Sequence, residues 1–285
     1  MYSDPNIKLV KSNPFITVII PTKNSELHIK KCLSSILNQT FQDYEIIIRD
    51  CISDDDTLKS INSFNDNRIK VYSEMDSGVY DAMNKGITTA KGEWIYFLGS
   101  DDELFGNRVF DNVYELLKTS RNMAIYGSVL VVGDAGWAKD GEVYDGHFSI
   151  EKIISNNICH QSIFYNKRMF NNSETFNQSY KICADHDLNI RLATQFRFHY
   201  IDLIIAKFRG GGLSSQADAN FISDFDNIVI KHHPYRVHKF NLLNIKIQKE
   251  AHQQLMNGRF LKSLYLYSVL IYKKTIFKMF LKAKK

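Results

Sequence analysis

Residues 15–24 read FITVIIPTKN, an apolar and β-branched run closed by Pro21 and followed by polar Thr22, Lys23 and Asn24. A strand with one solvated face alternates in polarity; one that is apolar at nearly every position is covered on both faces, as a parallel strand is between layers of helices. Beyond it stand Asn24 and Ser25, which can cap a helix, and then Ile29, Cys32, Leu33, Ile36 and Leu37 at the spacing of one helical face. The unit then repeats. Residues 46–48 make a second strand, 57–64 a second helix, 69–72 a third strand and 79–90 a third helix. Residues 94–98 make a fourth strand, which runs into Gly99, Ser100, Asp101 and Asp102. Strand and helix in strict alternation predict an α/β fold with a doubly wound central sheet, whose ligand site lies beyond the carboxyl ends of its strands.

Past residue 126 the alternation weakens. Residues 127–146 hold strand-like pieces broken by glycines, 161–165 read as a strand and 185–193 as a helix, so the second half is expected to be α+β and to complete the site. From about Lys239 the chain lacks proline and is rich in Leu, Tyr, Phe and Lys, the composition of a helical tail. The expected division is an extension over 1–14, a first half over 15–126, a second half of the same domain over 127–238 and a tail over 239–285.

Composition narrows the class. A chain of 285 residues that is 44% hydrophobic and 24% charged has the material for a substantial core, which excludes disordered and collagen-like chains. Its net charge of +5 is unevenly placed: no acid follows Glu250, and the eight bases Arg259, Lys262, Lys273, Lys274, Lys278, Lys282, Lys284 and Lys285 leave 28 of the 36 to face all 31 acids elsewhere. The body is mildly acidic and the tail strongly basic. Four scattered cysteines without a CxxC pair suggest neither a zinc ribbon nor a disulfide framework, and so a reducing compartment. Neither a signal-peptide run nor an apolar stretch approaching the ~20 residues of a spanning helix is present, and a cytoplasmic location is expected.

Acids fall where strands end: Asp50, Asp76, and the pair Asp101 and Asp102. Any one of them reads as a solvated loop acid. The set suits a hard divalent cation that takes oxygen ligands and bridges substrate phosphates. The histidines show no metal-ligand spacing, and no GxSxG, GxGxxG or GxxxxGK[ST] motif occurs, which removes the main support for an acyl hydrolase, a dinucleotide enzyme or a P-loop NTPase. Gly210 to Gly212 reads either as a close backbone approach to a ligand or as a simple turn.

Five blocks in order, FITVIIPTKN (15–24), EIIIRDCISDDDT (45–57), SEMDSGVYDAMNKGITTAKGEWIYFLGSDD (73–102), CHQSIFY (159–165) and ADHDLNIRL (184–192), resemble the family 2 glycosyltransferases of the GT-A fold, most of all the bacterial enzymes that build O-antigen, capsule and other exopolysaccharides. The resemblance implies roles for individual residues. Pro21, Thr22 and Asn24 would close the first strand against a nucleotide sugar and Asp50 would bond its base. Asp76, Asp81, Asn84, Lys85, Ser100 and Asp101 would line the donor pocket, with Asp102 on a Mn²⁺ or Mg²⁺ ion at the diphosphate. His160, Gly211 and Gly212 would lie near the acceptor or the diphosphate. Two positions depart from the pattern: Gly99 stands where many relatives place the first acid of the metal motif, and Cys51 and Ile52 replace the small residues usual after the nucleotide-binding Asp.

The resemblance also implies an inverting displacement, in which a carboxylate opposite the leaving diphosphate takes the acceptor hydroxyl's proton. Asp185 would be that base; on its own it reads equally as a charge at a helix N-terminus, with Asp187 its solvated neighbour. The expected activity is transfer from a nucleotide sugar, UDP-linked by preference, to a saccharide or polyprenyl-diphosphate-linked acceptor. A two-carboxylate glycoside hydrolase is the first alternative. A nucleic-acid-binding protein is the second, disfavoured because the positive charge is confined to the tail. In that tail Phe260, Leu261, Leu264, Tyr267, Leu270, Ile271, Phe277, Phe280 and Leu281 alternate with the bases. Its uncharged core, residues 263–272, either packs as a terminal helix or lies along the anionic inner face of a membrane.

Overall fold

The computed structural model describes residues 13–144, 146–149, 152–153, 156–171, 174–212, 224, 228, 251 and 254–268. The chain forms two compact units, Met1–Asp226 and Asn227–Lys285. The first is α/β. β1 (Ile16–Thr22) is buried at every position, as are β2 (Tyr44–Asp50) and β4 (Trp94–Phe97), as runs apolar on both faces require. β1 pairs in parallel with both, and β3 (Ile69–Ser73) pairs in parallel with β2. Between them lie α1 (Ile29–Leu37), α2 (Thr57–Asn62) and α3 (Val79–Thr89), and α1 buries Ile29, Cys32, Leu33 and Ile36, the face read from the sequence.

After β4 the sheet changes character. β5 (Glu103–Leu104), α4 (Val109–Thr119), β6 (Ala124–Val132), β7 (Val143–Tyr144), β8 (Ile163–Asn166), α5 (Ala184–Gln195) and β9 (Phe198–Arg209) follow. The strand order is β3-β2-β1-β4-β8-β6-β9-β5, with β7 beside β6. β8 is antiparallel to β4 and to β6, and β9 lies parallel to β6. β6 runs through residues 126 and 127, so the two expected halves share one sheet. The division between units falls at 226/227, ahead of the expected tail boundary, most of whose neighbourhood lies outside the described residues together with 1–12.

Two local expectations are corrected. β1 does not stop at Pro21. Ile19 accepts from the Leu98 amide on the β4 side and Thr22 from the Cys51 amide on the β2 side, so by alternation Pro21 faces the β4 side, where pairing has already ended at Ile19 and Phe97. Its missing N–H therefore costs no ladder bond. Asn24 and Ser25 do not cap α1, which begins after His28 without a side-chain cap. They tie the loop after β1 to the loop after β2. The Asn24 amide donates to Ser53 Oγ (2.8 Å), Asn24 Oδ1 accepts from the Asp54 amide (3.1 Å), and the Ser25 amide donates to Thr57 Oγ1 (2.7 Å). Asn24 and Ile52 carry positive φ of 49° and 47°, so both loops turn sharply at this rim.

At the opposite end of β1 the buried Glu45 carboxylate accepts from Thr17 Oγ1 (2.7 Å), the Lys91 amide (2.7 Å) and Lys70 Nζ (2.5 Å). Burial alone pushes its pKa up, but these hydrogen bonds, Lys70's foremost, outweigh it and leave the pKa below the ordinary value. A depressed carboxylate contributes stability that is present above its unfolded pKa and lost as the pH falls through the folded one. Glu45→Gln should therefore cost about 1–3 kcal/mol in urea unfolding at pH 7, and the deficit should close as the pH is lowered beneath the usual carboxylate range.

Candidate functional site

The carboxyl ends of β1 and β4 open onto a cavity of about 550 Å³, a size that suits a small ligand. One wall is local in the sequence: Pro21, Asn24 and Ser25 after β1, and Ser100, Asp101 and Asp102 after β4. The opposite wall comes from distant elements. Asn157 and the single 3-10 turn His160–Ser162 supply its polar groups, the start of α5 supplies Asp185 and His186, and Trp137, Tyr144 and Phe208 close one end with aromatic surface. Trp137 packs edge-on against Tyr144 with 4.8 Å between ring centroids and keeps 40% of its surface exposed.

The two adjacent acids differ sharply. Asp102 is only 2% exposed; its Oδ1 accepts from the Arg209 amide (2.8 Å) and its Oδ2 from Gln161 Nε2 (2.8 Å). Burial, with the charge of Asp101, pushes its pKa up to about 7 against the pull of those two donors. Asp101 is half-buried, lines the cavity and has no hydrogen-bond partner among the described residues. Gly99 precedes them for want of room: a Cβ there would stand 2.6 Å from Asp102 Oδ2 and 2.9 Å from Asp101 Oδ1.

Asp185 is arranged for the opposite result. Its Oδ2 accepts from Asn157 Nδ2 (2.7 Å) and lies 3.3 Å from His160 Nδ1, while its Oδ1 accepts from the His186 amide (2.9 Å) and lies 3.4 Å from the Tyr80 hydroxyl. Burial favours the neutral acid, but the hydrogen bond and charge of His160, with help from His186, hold the pKa below the ordinary carboxylate value. Asp187, expected to be solvated, is instead fully buried and paired with Arg191 Nε at 2.7 Å, because the i to i+4 spacing on α5 brings that guanidinium over it. The two acids of ADHD are thus divided between the cavity and the core.

Of the residues singled out in the sequence, the cavity gathers Pro21, Asn24, Ser100, Asp101, Asp102, His160, Asp185 and Gly212. Thr22, Asp50, Asp76, Asp81, Asn84, Lys85 and Gly211 are not in its lining. Asp50 is buried beneath the rim, accepting from the Ser53 amide (3.1 Å) and Oγ (2.5 Å) and from Ser73 Oγ (2.6 Å). The hydroxyl of buried Thr22 has no partner among the described residues. Asp76 accepts from the Gly78 amide (2.9 Å) and Asp81 from the Ser77 amide (3.0 Å), which shapes the entry to α3. Lys85 pairs with Asp81 (3.1 Å), and Asn84 exchanges two 2.9 Å bonds with the backbone of Phe176. Sequence reasoning missed Asn157, Gln161 and Tyr80, and also Asp224, whose Oδ2 accepts from the amides of Lys181 (2.7 Å) and Ile182 (2.9 Å) just ahead of Asp185. Gln161 and Tyr80 stood inside quoted blocks; Asn157 and Asp224 carry no local signal.

Residues 17–175 match the family model described as glycosyl transferase family 2. The chain belongs to that family. It is 36% identical over 213 residues, 71% of this chain and 80% of the relative, to a PGL/p-HBAD biosynthesis glycosyltransferase of Mycobacterium tuberculosis. It is 30% identical over 206 residues to a chondroitin synthase of Escherichia coli, a match that covers 68% of this chain and 29% of that protein. In fold it resembles S. aureus TarS 1-349, crystallised in complex with UDP-GlcNAc, with a TM-score of 0.65 and 18% identity over 91% of this chain and 81% of that one. The sheet is accordingly a GT-A sheet and the chain a glycosyltransferase of glycan assembly. Nothing in these matches supports a glycoside hydrolase or a nucleic-acid-binding protein.

The raised pKa of Asp102 has a sign that can be tested without substrate. A carboxyl whose folded pKa exceeds its unfolded one contributes stability that is fully present below the unfolded pKa and lost as the pH rises through about 7. Asp102→Asn keeps the acceptor for the Arg209 amide and removes the buried charge. The melting temperature of this variant relative to wild type should therefore rise steadily between pH 5 and pH 8 in protein without ligand.

Proposed function

We propose that this family 2 glycosyltransferase is an inverting, metal-dependent enzyme that moves a hexosyl or N-acetylhexosaminyl group from a UDP-sugar to a lipid-linked or growing saccharide acceptor. The observation that carries this reading is a carboxylate with no hydrogen-bond partner among the described residues, Asp101, on one wall of a cavity that holds an ionised carboxylate, Asp185, on the other. The choice of UDP draws support from the nucleotide sugar held by TarS, and the saccharide acceptor from the chondroitin synthase relative.

Among the described residues no group of three or more His, Cys, Asp or Glu gathers to hold an ion unaided. An open carboxylate at a strand end fits Mg²⁺ or Mn²⁺ all the same, since such ions take one or two carboxylates and complete their shell with substrate phosphates and water. The ligand role expected of Asp102 passes in this proposal to Asp101, because both Asp102 oxygens already accept protein hydrogen bonds. When bound, the ion offsets the charge that builds on the leaving diphosphate. Asp185 receives the acceptor hydroxyl's proton as that oxygen bonds to the anomeric carbon and the carbon–oxygen bond to the diphosphate breaks. An already ionised carboxylate is ready for that role at neutral pH. Asp50 and Thr22, beneath the rim, back the base-binding end.

A panel of nucleotide sugars, scored for thermal stabilisation and nucleotide release with Mn²⁺ or EDTA, tests the whole reading. One UDP-sugar should stabilise and turn over only with the ion; metal-independent turnover would remove the metal. Asp185→Asn should keep donor binding and lose about 10²-fold or more in turnover, the loss that follows removal of a general base. Asp101→Asn should abolish metal-dependent stabilisation by the donor.

We also infer a membrane-facing role for the tail. In the second unit the helix over residues 260–268 leaves Phe260, Leu261, Leu264 and Tyr265 exposed on adjoining faces beside Arg259 and Lys262. The remaining bases, from Lys273 onward, lie outside the described residues, and no described helix is long and apolar enough to cross a membrane. Bases near an anionic leaflet contribute about 1 kcal/mol each. The full chain should sediment with vesicles containing anionic lipid at low salt, and Leu261→Glu with Leu264→Glu should release it without lowering donor turnover.

A further inference from the structure

Behind Asp185 runs a buried chain of donors that all point one way. Tyr165, fully buried on β8, donates its hydroxyl proton to Asn189 Oδ1 (2.7 Å). Asn189, fully buried on α5, donates from Nδ2 to Asn157 Oδ1 (2.9 Å) and to the Ile158 carbonyl (3.0 Å). Asn157 in turn donates from Nδ2 to Asp185 Oδ2 (2.7 Å), and its backbone carbonyl accepts from the Tyr144 hydroxyl (2.8 Å).

The direction is imposed by the two ends of the chain. The Ile158 carbonyl and the Asp185 carboxylate can only accept, so each needs an amide N–H facing it. Turning either asparagine over would set oxygen against oxygen at one of those ends. With both amides locked, the His186 amide on Oδ1 and Asn157 on Oδ2 grip the carboxylate from its two sides and fix its plane.

We propose that Asn157, oriented by Asn189 and Tyr165, is a positioning residue that holds the Asp185 carboxylate in the plane from which it meets the acceptor hydroxyl. This rests on the reading of Asp185 as the base. An amide neither gives nor takes a proton at neutral pH, so the chain relays nothing: the acceptor's proton stays on Asp185 until solvent removes it. What the chain supplies is alignment, together with a donor that favours the ionised form.

Asn157→Ala should lower turnover on the order of tenfold with donor affinity unchanged, and should move the acid limb of the pH–rate profile to higher pH. Asn189→Leu should act in the same direction from one link further back, since an apolar side chain of similar volume adds no charge and cannot donate to Asn157. Tyr165→Phe, which leaves Asn189 anchored on Ile158, should do less. The groups that face Asp185 are Tyr80 from α3, His160 from the 3-10 turn, Tyr165 from β8, and Cys183 and His186 beside it, with Asp224 next to Cys183. Asn157→Ala and Asn189→Leu leave all of them in place and add no titratable group.

Carbon-13 titration of the Asp185 carboxyl, assigned with Asp185→Asn, reads the same clamp without any substrate and should show the midpoint raised in Asn157→Ala and in Asn189→Leu. If Asn157→Ala melts below assay temperature, Asn157→Ser takes its place. Unchanged turnover and an unmoved titration in both variants of an active enzyme would overturn the clamp. A wild-type protein that turns over no nucleotide sugar would overturn the transferase reading instead, leaving the titration to decide the clamp.

Discussion

Burial of β1 on both faces and along both edges is the constraint on which the rest of this structure depends. A strand flanked by β2 and β4 and covered by helices has no solvent to satisfy its ends, so the polar groups around each end pair with protein, the Thr22 hydroxyl excepted. At the amino end Thr17, Glu45, Lys70 and the Lys91 amide close around one another. At the carboxyl end the loops after β1 and β2 are stitched together through Asn24, Ser25, Ser53 and Thr57. Gly86 lets α3 settle directly onto β1, since a Cβ there would stand 2.5 Å from Ile19 Cγ2. That close seat also sets the height of Tyr80 and of the α3 N-terminus beside the cavity.

The cavity shows how one fold prepares two carboxylates for different states. Asp102 and Asp185 each receive neutral hydrogen bonds, yet burial and a neighbouring acid drive one pKa up while a neighbouring histidine holds the other down. Pairs of acids whose surroundings push their pKa values apart are how a site divides roles among chemically identical groups. Here the division follows position. Asp102 is folded back under the loop after β4 against Arg209 and Gln161, which joins that loop to the end of β9, whereas Asp185 projects from the first turn of α5 into the space between the walls.

The second wall is built across large separations in the chain. Asn157, His160, Tyr165 and Asn189 meet because β8 lies antiparallel to β4 and α5 packs beside it, and Asp224 closes on the backbone ahead of α5 from further still. Antiparallel insertion of β8 next to β4 is thus what turns the parallel half-sheet into one wall of a two-sided cavity, and it is why the boundary expected at residue 126 falls inside β6.

By itself the sequence determined the parallel half of the sheet, the helical faces of α1 to α3 and the acids at the strand ends, because hydrophobic periodicity and strand-end chemistry are local properties of consecutive residues. The five ordered blocks likewise determined the family. Local patterns did not decide β9, whose half-exposed positions and scattered polar residues blur any period. Tertiary structure alone decided which acids stand open to the cavity and which are held by protein groups. Asp101 and Asp102 are adjacent and alike in sequence, as are Asp185 and Asp187 in ADHD. Only the arrival of Arg209 and Gln161 at one, and of Arg191 across a helical turn at another, separates an open carboxylate from a buried one, because solvation and hydrogen bonding are set by neighbours in space.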